Sequence, residues 1–331
     1  MDVYYIGEVY SIACSPVNAA LVATGGQDDK GYIWNIGGNW FTEVQGDHRD
    51  SVSCLAFSSD GQLLASGDVN GLLHIWDHSG NQKQKFEIGA ELEVQWVKWH
   101  PRGHLVLAGS ADHNVYMWNA DNGTLLQTFS GHGKSVTCGD FTPDGKVVCT
   151  GSEDGTLRIW DPVSGRRILV VKDTSRDERS LTCLAIKLDS TLALTGTAGG
   201  SVHVSNLKTG KVVTSLSAHE DTINCVGISP SIPWGATGGA DGKLIIWDMQ
   251  RLEPRSECIH EKGVQCLAWV GSSRVVAAGC KGGKILLWDC LSGECVRVLR
   301  GHSRTIESLS VCCDQISSFQ HRVMGLLEFL T

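Results

Sequence analysis

A Trp followed by Asp or Asn recurs at Trp34-Asn35, Trp76-Asp77, Trp118-Asn119, Trp160-Asp161, Trp247-Asp248 and Trp288-Asp289. Successive spacings are 42, 42, 42, 87 and 41 residues, and the 87 spans two periods, with Val204-Ser205 at the intervening position. A second series runs in phase: His48, His132, His219 and His260 each lie 28 residues ahead of a Trp, and His302 opens a further unit. A fixed period of this length constrains the fold more than any other feature. Each repeat must be one supersecondary unit, and its apolar faces must be buried against its neighbours.

The texture of one unit says what it is. Ser135 to Phe141 alternates apolar and polar residues with β-branched enrichment, as a strand does. Thr142-Pro143-Asp144-Gly145 is a turn, Val147 to Gly151 a short buried strand and Glu153-Asp154-Gly155 a hairpin. Thr156 to Trp160 is the next strand, Ser164-Gly165 turns again, and Arg167 to Val171 makes a fourth. Four strands joined by hairpins over about 42 residues form one propeller blade, and this period with Gly-His and Trp-Asp pairs is the WD40 signature.

The predicted fold is therefore all-β, a WD40 β-propeller of seven complete four-stranded blades and an incomplete eighth. The complete blades fall at about 8–45, 51–88, 93–129, 135–171, 180–216, 222–259 and 263–299, with one further strand at 304–310. The propeller thus spans 8–310, and 311–331 is an atypical C-terminal tail. Counting 28 residues from His302 reaches Leu330-Thr331 instead of Trp-Asp, and Phe319, Val323, Leu326, Leu327 and Leu330 follow helix-like spacing.

Composition limits the function. Asp and Glu number 36 against 28 Lys and Arg, a net charge of −8, so direct nucleic-acid binding is not expected. No apolar run approaches the roughly 20 residues of a membrane span. The start, Met1 to Tyr5, lacks the basic and apolar parts of a secretory signal. Of the 13 Cys, Cys14, Cys54, Cys138, Cys183, Cys225 and Cys266 occupy one position, the middle of each first strand, and Trp96 fills it in the third blade. One per blade suits small buried residues rather than disulfides or a metal site, and points to a reduced cytoplasmic, also nuclear, protein.

No nucleotide loop, serine-hydrolase elbow or zinc-protease motif occurs, so no cofactor, metal or small-molecule substrate is expected, and no catalytic residue. His132, Thr150, Asp154 and Trp160 could be mistaken for a catalytic triad. The set recurs as His219, Thr237, Asp241 and Trp247, and in weakened form as His48, Ser66 and Trp76 with Asn70 in the Asp place. Repetition with decay suits structural hydrogen-bond networks. The seventh blade, with Ala278 and Gly282, is expected to lack one.

On a propeller, one face carries the loops that enter each first strand and the hairpins between second and third strands. Those loops hold Asp50, Glu91, Glu93, Glu153, Asp177, Glu178, Glu220, Asp221 and Glu261. Against these nine acids stand six bases: Arg49, Lys134, Arg179, Lys262, Lys281 and Arg304. An acid-rich face is the candidate site for a basic protein partner.

Three stretches are not generic to such repeats: Leu21 to Lys30 with Gly-Gly-Gln-Asp-Asp-Lys, Asp50 to Cys54, and Trp99-His100-Pro101-Arg102 followed by Leu107-Ala108-Gly109-Ser110. In these the chain resembles the angio-associated migratory cell protein family and its fungal and plant relatives, over residues 8 to about 310. The resemblance implies a non-catalytic protein-binding platform. Fungal relatives are chaperones of a basic large-subunit ribosomal protein held on an acidic propeller face, and animal relatives are linked to cell migration and signalling adaptors. It also implies eight blades and an acidic N-terminal extension. This sequence departs at both ends, as a truncated or spliced product would.

Overall fold

The computed structural model describes residues 7–36, 40–44, 48–89, 92–172 and 180–312. It contains seven four-stranded antiparallel sheets, each in sequential strand order, at 9–43, 52–87, 94–129, 138–172, 181–217, 223–259 and 264–299. The sheets are the blades of a ring. Their first strands line the centre and their fourth strands form the rim.

Burial follows position in the blade. Second strands such as Leu21–Gly26, Leu63–Asp68 and Val275–Cys280 are buried along their whole length. They are covered on both faces by adjoining blades, so they read as continuous apolar and small runs instead of alternating ones. Fourth strands such as Arg167–Lys172 and Lys211–Ser217 face solvent and are largely exposed. Hairpins need left-handed backbone at defined points, and Gly155 (φ 75°) supplies it between the second and third strands of blade 4.

The core is divided among the junctions between blades. Trp76 of blade 2 packs with Ile33 of blade 1, and Trp118 of blade 3 with Ile75 of blade 2. Trp160 packs with Leu107, Trp247 with Val204 and Trp288 with Ile246 in the same way. Blades 2, 3, 4, 6 and 7 therefore bury their Trp against the preceding blade, the nearest-neighbour logic that a repeat architecture requires.

One contact recurs around the ring. Outside blade 3, where Gly109 faces Trp96 of its own blade, a glycine in the second strand sits against the residue that opens the next first strand: Gly25 against Val52, Gly67 against Val94, Gly151 against Leu181, Gly196 against Ile223 and Gly238 against Val264. A β-carbon would come within 2.6 Å of that neighbour at Gly25, Gly67, Gly196 and Gly238, whereas at Gly151 the tight contact is Cys138 Sγ at 2.6 Å and Leu181 lies at 3.4 Å. Gly279 makes the next step, and its neighbour is Ile306.

Residues 304–310 therefore occupy the inner position of an eighth blade. Ile306 is buried in a cluster with Cys266, Ile285 and Leu287 of blade 7, and its N–H donates to Cys280 O at 3.2 Å. On the other side, Ile12 N donates to Ser308 Oγ at 3.4 Å, Cys14 N donates to Ser310 Oγ at 3.1 Å, and Arg304 pairs with Glu8. Ser11 Oγ accepts from Leu55 N at 3.1 Å in the same manner between blades 1 and 2. The segment differs from the predicted strand in one respect: it forms no β-ladder. Its contacts to both neighbours run through side chains and one backbone bond. The tail residues with helix-like spacing lie outside the described residues.

Candidate protein-binding face

Every hairpin between second and third strands is tied to the loop entering the first strand of its own blade. The bonds are Gln27 N to Glu8 O, Val69 N to Ser51 O, Ala111 N to Glu93 O, Glu153 N to Ser135 O, Ala198 N to Ser180 O, Ala240 N to Thr222 O and Lys281 N to Gly263 O, all between 2.8 and 3.2 Å. This repeated bond gathers loops from distant parts of the chain onto one face.

Buried networks hold these loops from beneath. In blade 4, Trp160 Nε1 donates to Thr150 Oγ1 at 2.8 Å, Thr150 Oγ1 meets His132 Nε2 at 2.8 Å, and His132 Nδ1 meets Asp154 Oδ2 at 3.0 Å. The hydroxyl accepts from Trp and donates to Nε2, which leaves Nδ1–H for the carboxylate. In blade 6, Trp247, Thr237, His219 and Asp241 repeat the chain at 3.0, 2.8 and 3.0 Å. The hydroxyls of Ser66, Thr150 and Thr237 sit on wholly buried residues. No substrate reaches such an oxygen, so the geometry is that of a staple.

The carboxylates also clamp the loops. Asp154 Oδ2 accepts from Gly133 N at 2.9 Å, and Asp241 Oδ2 accepts from Glu220 N at 3.0 Å. Burial raises the Asp154 pKa, but hydrogen bonds from Thr156, Gly133 N and His132 outweigh it and hold the group at about 2. The His132 pKa is lowered, chiefly by burial, with Asp154 acting in the opposite direction.

Two network expectations need correction. Blade 2 does not place Asn70 in the Asp role. Wholly buried Asp68 accepts there, at 3.1 Å from His48 Nδ1, 3.2 Å from Arg49 N, 3.0 Å from Asn70 N and 2.8 Å from Leu72 N. His48 Nε2 meets Ser66 Oγ at 2.8 Å, and Ser66 Oγ accepts from Trp76 Nε1 at 2.7 Å. The carboxylate enters from two residues earlier in the hairpin, a shift visible in the sequence as an Asp 20 residues after the His. Blade 7 keeps a shortened contact. Ala278 removes the hydroxyl, and Trp288 Nε1 donates straight to His260 Nε2 at 3.0 Å. Gly282 supplies no carboxylate, and His260 Nδ1 is buried without a partner.

The acids on this face differ in their freedom. Glu220 pairs with Lys243 at 3.2 Å and Glu261 with Lys284 at 2.6 Å. Asp50 Oδ1 accepts from Ser51 N at 2.7 Å, Asp221 Oδ1 from Thr222 N at 2.7 Å, and Glu93 Oε2 from Gln95 Nε2 at 3.2 Å. Glu153 is exposed, and its carboxylate is unpaired among the described residues. Glu91, Asp177 and Glu178 lie outside the described residues.

Two acids escaped the sequence reading. Asp28 and Asp29 stand in the blade 1 hairpin, and the Asp29 pKa is raised, first by burial and then by the negative charges of Asp50, Asp28 and Asp68. The hairpin of blade 1 thus shares one negative field with the loop and hairpin of blade 2. The Asp28-Asp29 pair was the available signal, read only as part of a family-like stretch. Among the described residues, no group of three or more His, Cys, Asp or Glu side chains could hold a metal ion, and no helix is long and apolar enough to cross a membrane.

Residues 41–77, 82–119, 123–161, 210–248 and 254–289 match the WD domain, G-beta repeat. The angio-associated migratory cell protein of Homo sapiens is 36% identical over 322 residues, which covers 92% of this chain and 73% of that protein. The chain belongs to the WD-repeat family of the angio-associated migratory cell protein. Among solved structures, Saccharomyces cerevisiae Sqt1 superposes with a TM-score of 0.84 at 20% identity, covering 93% of this chain and 89% of that one. Chaetomium thermophilum Sqt1 bound to the N-terminus of ribosomal protein L10 gives 0.82 at 23% identity, with 91% of each chain covered. These structures share the fold of this chain.

Proposed function

We propose that this propeller is a non-catalytic platform that holds a basic protein segment on its acidic face, as a chaperone or assembly factor for a basic large-subunit ribosomal protein. The observation that carries the reading is the clustering of Asp28, Asp29 and Asp50, whose negative charges act on one another, on the face of blades 1 and 2. A cationic client is drawn to such a field, and a rigid face loses little freedom on binding. Exposed ion pairs contribute only about 0 to 1 kcal/mol each, so several must act together with an apolar anchor. A solved propeller of the same fold that holds the N-terminus of ribosomal protein L10 supports the choice of client.

The test is titration with a peptide of the ribosomal L10 N-terminus by calorimetry at low and high salt. Binding should weaken steeply with ionic strength. Reversal of Asp29, Asp50, Glu153, Glu220, Asp221 and Glu261 to Lys should weaken it by about tenfold or more, with an unchanged circular dichroism spectrum. Salt-independent binding, or none, would favour the second reading, a signalling or migration adaptor, which the human relative's name supports.

A further inference from the structure

The ring closes at one seam, between blade 1 and residues 304–312, and the seam holds two cysteines. Side chains on one side of an extended segment recur every second residue. Ser308 and Ser310 point at the blade 1 backbone, where their hydroxyls accept from Ile12 N and Cys14 N. Cys312 is the next residue in that series, and its side chain hydrogen-bonds the Cys14 thiol. Two thiols from opposite ends of the described residues therefore meet where residues 304–312 close the ring against blade 1.

Contrary to the expectation from sequence, Cys14 does not share the mid-strand position of the other inner-ring cysteines: Ser11 fills it, opposite Gly25 as Cys54 is opposite Gly67, and Cys14 ends the strand Val9–Cys14. Burial pushes the thiols of Cys54 and Cys138 up to about 12, that of Cys183 up to about 11, and those of Cys225 and Cys266 well up. Those groups stay protonated and inert. Cys14 is lowered, first by the hydrogen bond to Cys312, with burial opposing and Ser310 assisting. Cys14 and Cys312 are also both partly exposed, so a small reagent reaches them.

We propose that Cys14 and Cys312 form a reversible disulfide that latches the propeller ring. The oxidant is a low-molecular-weight disulfide of the glutathione class. The Cys14 thiolate attacks one sulfur of that disulfide, which breaks its S–S bond, forms a mixed disulfide and expels one thiolate. The Cys312 thiolate then attacks the Cys14 sulfur, forms the Cys14–Cys312 bond and expels the second thiolate. The two protein thiols lose two electrons and two protons, and the oxidant leaves as two thiols. The resulting bond spans nearly the whole chain. It removes a large amount of freedom from the unfolded state and prevents the seam from opening.

The test uses the full chain in glutathione buffers from fully reduced to fully oxidised, with alkylation of free thiols and non-reducing peptide mapping. A Cys14–Cys312 linked peptide should appear ahead of any other linkage. The thermal midpoint should rise by roughly 5 °C on oxidation and fall back with dithiothreitol. Cys14→Ser and Cys312→Ser should each abolish the shift, while Cys313→Ser should keep it. Glutathione adducts alone, at Cys14 or at exposed Cys295, would overturn the proposal. So would a linkage of Cys14 to Cys313, or an oxidised midpoint equal to the reduced one. If one serine variant fails to fold, the other variant and the peptide map still decide.

Discussion

The indole of Trp96 in blade 3 fills the space that a side chain on Gly139 in blade 4 would need. Trp96 stands where blades 2, 4, 5, 6 and 7 have Cys, and its Nε1 donates to Val136 O at 2.9 Å. Cys54 makes the equivalent contact, Sγ to Val94 O at 3.6 Å. Gly139 stands where blades 2, 5 and 7 have Leu55, Leu184 and Leu267. A large residue and a small one have thus been exchanged across the junction of blades 3 and 4.

This exchange predicts strong coupling. Gly139→Leu alone should overpack the junction and cost on the order of 3 kcal/mol. Trp96→Cys alone should leave a cavity and cost about 3–5 kcal/mol. The double variant restores the pairing seen at other junctions and should cost less than the sum by 2 kcal/mol or so. Chemical denaturation of the four proteins measures the coupling, and additive costs would exclude it.

Asp68 should matter far more than Asn70. Asp68→Ala strands His48 Nδ1 and three backbone N–H groups, those of Arg49, Asn70 and Leu72. The expected loss is about 3 kcal/mol. Asn70→Ala removes only long bonds to Arg49 O at 3.5 Å and Asp50 at 3.4 Å, and should cost under about 1 kcal/mol. Comparable costs in a urea titration would contradict the assignment.

The carboxylate that the blade 7 network lacks can be restored by one substitution. A β-carbon at Gly282 would meet only the Lys262 side chain, at 3.4 and 3.6 Å, and the backbone there is not left-handed. Gly282 corresponds to Asp154 and Asp241, so Gly282→Asp should bring a carboxylate to the unpartnered His260 Nδ1. Stability should rise by about 1 kcal/mol. Calorimetry would show an unchanged or lowered midpoint if the carboxylate does not reach the ring.

The seam of blades 2 and 3 should give pH dependence of a definite sign. His104 Nδ1 meets Asp121 Oδ1 at 2.6 Å, and Nε2 meets Asp60 Oδ2 at 2.8 Å. Burial opposes the charged imidazole, but the two carboxylates outweigh it and raise its pKa above 6.5. The stabilisation is full below about pH 6.5 and is lost as pH rises through the folded value. Asp60 acts oppositely. Burial is again outweighed, and hydrogen bonds from Ser58, Gln62 N and His104 hold it at about 2, so its share is lost as pH falls toward that value. His104→Gln should therefore lower the thermal midpoint more at pH of about 5.5 than at about 8.5. Equal losses at both would rule the clamp out.

The repeat was legible because it is a local matter. Trp76, Trp118, Trp160, Trp247 and Trp288 recur in phase since each blade solves the same packing problem against the blade before it. The His132 and His219 networks were legible for the same reason: their members keep fixed offsets within one blade. Asp68 was not, because a carboxylate two residues away in a hairpin reaches the same ring nitrogen along a different path. Asp28 and Asp29 were not, because their field adds to that of Asp50 only once two blades stand side by side.

The sequence by itself determined the seven blades and the buried second strands, since those follow from strand period and hairpin chemistry. It also marked 304–310 as the start of an eighth unit. Only the tertiary structure decided what that unit does. Closure of the ring brings Ile306 under Gly279, Ser310 onto Cys14 N and Cys312 onto the Cys14 thiol. Those contacts join the two ends of the chain. They are set by the rotation accumulated over seven blades, a quantity that no single repeat contains.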